Sequence, residues 1–80
     1  MHMLSRLENL MQEHVSVQMS GGNGQARGTV IDVYATSDMP SDTIPNAMRA
    51  AVDRSHFSVQ LEDGRILNKV SGRRLHFPKL

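Results

Sequence analysis

Hydrophobic residues recur at two different periods along the chain. Leu4, Leu7, Leu10, Met11 and His14 fall three and four apart and share one helical stripe, with Arg6, Glu8, Asn9 and Glu13 outside it. Ser5 followed three residues later by Glu8 matches a capping box, so the pattern predicts a helix over residues 5–13. So short a helix is marginal alone, and its leucines must pack on something. From residue 14 the period drops to two, because Val15, Val17 and Met19 alternate with Ser16, Gln18 and Ser20, as in a strand with one buried face. Gly21-Gly22-Asn23-Gly24 breaks the alternation. Asn-Gly suits a type I′ turn, and Gln25 to Tyr34 reads as the returning strand of a hairpin over 14–34. Gly28, inside that strand, marks a bulge or a bend of the kind that curls a sheet into a barrel.

Residues 35–55 interrupt the strand pattern with Ser37, Asp38, Pro40, Ser41 and Asp42, all turn formers. Ser41 or Thr43 is positioned to cap a short helix with Pro45 in its first turn, and Ala47, Met48, Ala50 and Ala51 favour helix. This segment is expected to be an insertion carrying one helix, with Asp38 and Asp42 in turn and cap roles. Alternation resumes at Phe57, Val59 and Leu61, turns at Glu62-Asp63-Gly64 and returns through Ile66 and Leu67 to Val70. Ser71-Gly72 punctuates, Leu75 and Phe77 form a short closing strand, and Pro78 ends it. Residues 56–80 therefore read as a hairpin and a tail.

Eighty residues suffice for one core, so the expected organisation is a single domain over 1–80. The chain is mainly β: a small five-stranded barrel with an N-terminal helix and a helical insertion. Without cysteine it has neither disulfide staples nor thiolate ligands, and so thin a core gains from a second copy, which makes a homo-oligomer the expected state. No long apolar run or secretory signal is visible from Met1-His2-Met3 onward, so no membrane contact and a cytoplasmic location are expected.

Candidate chemistry is sparse. No two of His2, His14, His56 and His76 stand three to five residues apart, and Gly21–Gly24 lacks the Gly-Lys-Ser/Thr ending of a phosphate-cradling loop. His14 reads as a helix-end residue and His76 as an edge-strand residue. Neither a catalytic constellation nor a metal or cofactor site is expected. Charge is more informative. Residues 1–63 set four arginines against eight acids, whereas residues 64–80 carry Arg65, Lys69, Arg73, Arg74 and Lys79 and no acid. Five clustered cations suit a phosphate backbone or an acidic protein surface. In a regular strand Arg73 and Arg74 would face opposite sides. Only Tyr34, Phe57 and Phe77 are aromatic, and the alternation places Phe57 in the core.

The helix followed by Val15-Ser16-Val17-Gln18-Met19 and by Asn23-Gly24-Gln25-Ala26-Arg27-Gly28-Thr29-Val30 resembles the first motif of Sm-like proteins of the Hfq type. His56 to Asp63 resembles their third strand, and Val70-Ser71-Gly72-Arg73-Arg74-Leu75 their Ile-Arg-Gly segment. Residues 35–55 stand where such chains have a short turn, and no Tyr-Lys-His segment is present. Gly28 to Ile31 and Phe57 to Gly72 also resemble bacterial translation initiation factor one, an OB barrel. SH3-like barrels share the same alternation. The Sm-like resemblance implies ring assembly through strand edges, and the clustered cations point to a non-enzymatic module that binds nucleic acid, RNA above all, through Arg65, Lys69, Arg73, Arg74 and Lys79. The same residues suit an adaptor or regulatory subunit docking an acidic partner.

Overall fold

The computed structural model describes residues 2–22 and 24–80. Helix α1 (Met3–Glu8) leads into β1 (His14–Gln18) and β2 (Gln25–Tyr34); helix α2 (Ala47–Arg54) precedes β3 (His56–Leu61), β4 (Ile66–Ser71) and β5 (Leu75–His76). All pairings are antiparallel, and the five strands form one sheet in the order β4-β3-β2-β1-β5. The mainly β class, the two hairpins and the short closing strand agree with the sequence pattern. β4 and β5 are the two edges of the sheet and do not pair with each other, so the sheet is not closed into a barrel.

The sheet is nonetheless strongly bent. Ser71 ends β4 level with His56 and Tyr34, and Leu75 begins β5 level with Val17 and Ala26. In a flat sheet the outermost of five strands lie about 19 Å apart, yet the four steps from Ser71 to Leu75 span at most about 14 Å. Only a rolled sheet brings the two edges that close. Its inner face holds Val15, Val17, Val30, Phe57, Val59, Leu61, Val70, Leu75 and Phe77, and α1 and α2 add Met3, Leu7, Ala47, Ala51 and Val52. Phe57 and Phe77 meet edge to face at 5.7 Å between centroids. Among the described residues no helix is long and apolar enough to cross a membrane.

Four local expectations are corrected. Helix α1 starts at Met3 and ends at Glu8, with His2 as a cap that makes no side-chain bond, so Ser5 and Glu8 form no capping box. His14 opens β1 and is not a helix-end residue. Helix α2 starts after Asn46, which takes a left-handed φ of 59° and makes no side-chain cap bond, while Ser41 and Thr43 bond each other at 2.8 Å. Arg73 and Arg74 lie in a 3-10 turn (Gly72–Arg74), not in a strand. Asn23, half of the expected Asn-Gly turn, lies outside the described residues.

The missing side chain at Gly28 serves a close approach. A Cβ there would stand 2.6 Å from both the Gln60 carbonyl oxygen and Val59 Cγ1. The bulge comes further on, where the register with β3 shifts between Val30 and Asp32.

The insertion holds the corner between the edges. The Arg49 guanidinium donates to the Gly72 carbonyl at 2.6 Å and to the Leu75 carbonyl at 3.1 Å, and its Nε donates to Asp53 at 2.9 Å. Removing Arg49 strands two backbone acceptors, whereas removing Asp53 breaks only a half-exposed ion pair. Arg49→Ala is expected to lower unfolding free energy by about 1–3 kcal/mol and Asp53→Ala by about 1 kcal/mol or less. Urea denaturation of the two variants checks the order.

Candidate nucleic-acid interface

The fold gives the five tail cations different duties. Arg65 closes the β3–β4 turn: its Nε donates to Asp63 at 2.8 Å and its backbone N–H donates to the same carboxylate at 3.0 Å. The Arg65 N–H, then the guanidinium, hold the exposed Asp63 carboxyl below its ordinary pKa. Arg74 reaches back from the 3-10 turn and donates to the Gln18 carbonyl at 2.8 Å, tying the corner to the end of β1. Arg73 and Lys79 are exposed. Lys79 flanks a groove of about 370 Å3 with Arg6, Asn9, Met48 and Leu80. Arg65 stands at the end of the sheet opposite Tyr34, so the five do not form one patch.

Lys69 has the most elaborate setting. β2 and β4 both break register opposite Ser58: Ile31 is the extra residue on one side, and Asn68 with Lys69 bulge on the other. Ser58 is 3% exposed; its hydroxyl accepts a long bond from the Lys69 N–H at 3.4 Å and donates to Asn68 at 3.5 Å. Lys69 takes a left-handed φ of 53°, which an L-residue adopts at a cost of about 1–2 kcal/mol. The bulge aims its ammonium over the Tyr34 ring, 4.9 Å from the centroid.

Tyr34 and His56, which the sequence offers only as one of three aromatics and one of four histidines, were not among the candidate binding residues. They are direct cross-strand partners, and His56 in turn pairs with Ser71, two residues before Arg73. This end of the sheet therefore gathers a ring, an imidazole and the Lys69 ammonium, and the chain passes from it into the 3-10 turn that carries Arg73. The signal for it is present in the sequence. A strict period of two from Gly28 and Val30 would bury Asp32 with Tyr34, and a buried lone carboxylate marks a slip of phase.

Three ion pairs form among the described residues: Arg49–Asp53, Arg54–Asp38 and Arg65–Asp63. Lys69, Arg73, Arg74 and Lys79 have no carboxylate partner there. None of the five tail cations lines the open groove of about 700 Å3 over β1, β2 and β3, whose walls include His14, Arg27, Gln60 and Glu62, or the groove of about 920 Å3 between α1 and the start of the insertion. Among the described residues no three His, Asp or Glu side chains converge as metal ligands. Comparison with family models, with curated proteins and with solved structures finds no match for the chain.

The strain at Lys69 is measurable. Lys69→Gly relieves the left-handed backbone and loses a surface cation–π contact of about 0.5–1 kcal/mol, so its stability should stay within about 0.5 kcal/mol of the parent. Lys69→Val keeps the backbone cost, in a conformation that is an outlier for a β-branched residue, and loses the same contact, so it should fall below the Gly variant by about 1–2 kcal/mol. Thermal unfolding of the pair is the check.

Proposed function

We propose that the chain is a non-enzymatic binding module, a small partly open barrel related in architecture to the Sm-like, SH3-like or OB kind, that binds RNA through the basic strand region near its C-terminus. The observation that carries this reading is the surplus of unpaired cations: four of the five in residues 64–80 have no carboxylate partner among the described residues. Lys69, over the Tyr34 ring, and the exposed Arg73 are the phosphate contacts, while Arg65 and Arg74 serve the turn and the corner. Such contacts release counterions, so affinity for single strands falls with salt by a log–log slope of roughly −0.7 per phosphate. In anisotropy titrations with a labelled oligouridylate, Arg73→Ala should flatten the slope by about one contact. Arg74→Ala should change it less, because that guanidinium is already bonded to Gln18. Binding that ignores salt would end this reading.

A second reading, an adaptor docking an acidic partner, is favoured by the groove where Arg6 and Lys79 flank Met48 and Leu80. Absence of RNA binding at low salt, with one stoichiometric protein recovered in a pull-down, would select it.

Self-association belongs to the same proposal, since β4 and β5 both present unpaired backbone that a second copy can extend. Light scattering at high micromolar concentration is expected to report a mass above that of the 8.9 kDa chain. A monomer mass throughout would remove it.

A further inference from the structure

We propose that Tyr34 is a nucleobase-stacking subsite for single-stranded nucleic acid, in which a base lies on the phenol ring and the Lys69 ammonium moves from the ring to an adjoining phosphate. The inference rests on the nucleic-acid reading above and assigns it a base-contacting residue.

Three observations lead to it. Of the three aromatic residues, Phe57 and Phe77 are buried against each other, and only Tyr34 is exposed, at 37%. The ring is outside because β2 bulges at Ile31, which turns Asp32 and Tyr34 to the outer face and Val33 inward. A fold that needed Tyr34 only for its apolar surface would have kept it in phase with Val30. On β4, a second bulge at the same level holds Lys69 in a strained conformation with its ammonium over that ring. Two distortions of the sheet thus converge on one contact, and bulges of this kind recur where a side chain is re-aimed at a binding site.

The surroundings suit a nucleotide. Tyr34, His56 and Ser71 form one row across β2, β3 and β4, about 10 Å wide at ordinary strand spacing. His56 offers a ring nitrogen beside the base, and Arg73 lies just past the far end of the row. The ammonium over the ring face can be displaced by a ligand without loss, because a phosphate takes it up. Stacking of a base on an aromatic ring changes affinity by roughly 5- to 150-fold, more than a solvent-exposed cation over the same ring contributes.

The chain contains one tyrosine and no tryptophan, so its ultraviolet emission reports on Tyr34 alone. Labelled oligouridylate and an abasic oligomer with the same number of phosphates are titrated at low salt, following anisotropy and, corrected for absorption, tyrosine emission. Oligouridylate should quench the emission in step with binding, while the abasic strand binds without matching quenching. Tyr34→Leu should weaken oligouridylate binding by roughly 5- to 150-fold, leaving abasic binding unchanged, and Tyr34→Phe should retain both. Should Tyr34→Leu fail to fold, base-dependent quenching of the parent chain decides. Oligouridylate binding without quenching, equal quenching by both strands, or full affinity in a folded Tyr34→Leu chain overturns the subsite and leaves the RNA reading standing. If neither oligomer binds at low salt, the RNA reading falls and the subsite with it.

Discussion

The structure turns on a single corner, where four residue steps join the two opposite edges of a five-stranded sheet. At that corner Gly72 sits on the backbone of helix α2, and any Cβ on it would run into the Val52 carbonyl oxygen. The contact is then bonded from both sides: the Gly72 N–H donates to Ser55 at 2.9 Å, and its carbonyl accepts from Arg49 at 2.6 Å. Ser55, fully buried, also donates its hydroxyl to Ala51 and accepts the Thr36 N–H, so the start of the insertion is tied to the same point. Residues 35–55 are therefore no loose excursion. They form the surface against which the chain makes its last crossing, and Leu75 and Phe77 reach the core because that crossing is short.

A second constraint acts in the middle of the sheet. β3 is the central strand of the β2-β3-β4 layer, and both neighbours slip register opposite Ser58. Each slip adds local twist and turns a side chain over, which helps a small sheet to roll without long strands. The distortion has a local cost, most plainly the left-handed Lys69, and it is sustained because Val59 and Phe57 on either side of Ser58 are anchored with no exposed surface. The outward ring of Tyr34 and the position of Lys69 follow from that one pair of bulges. Geometry of the site and curvature of the fold have the same origin.

This division explains which features the sequence made legible. Alternation over Val15, Val17 and Met19, and over Phe57, Val59 and Leu61, is a local property set by one buried face, and it survives into the structure. The helix caps did not survive, because Ser5 and Thr43 satisfy backbone donors only if the helix begins beside them. Tertiary packing of Met3 and Ala47 fixed the starts elsewhere. The duties of Arg49 and Gly72 were invisible for a different reason: they depend on residues more than twenty positions away. For the candidate site, charge alone singled out five cations. Two of them, Arg65 and Arg74, proved to hold a turn and a corner, and the residue beside Lys69 that gives the patch its chemistry was missed because a bulge reversed the phase of β2.

The cations left over set what such a surface can do. Two unit charges about 10 Å apart in water repel by only about 0.4 kcal/mol, so Lys69, Arg73 and Lys79 are tolerated on the surface without a carboxylate partner among the described residues. By the same arithmetic their direct attraction for a ligand is weak, and their strength lies in displacing counterions from a polyanion. That effect is blind to sequence and fades with salt. A ring beside the charges behaves differently, since stacking requires a base and is indifferent to ionic strength. On the proposed reading, placing Tyr34 against Lys69 would join a charge that brings a strand in to a surface that distinguishes a base from bare phosphate, and the strained bulge would be the device that holds the two together.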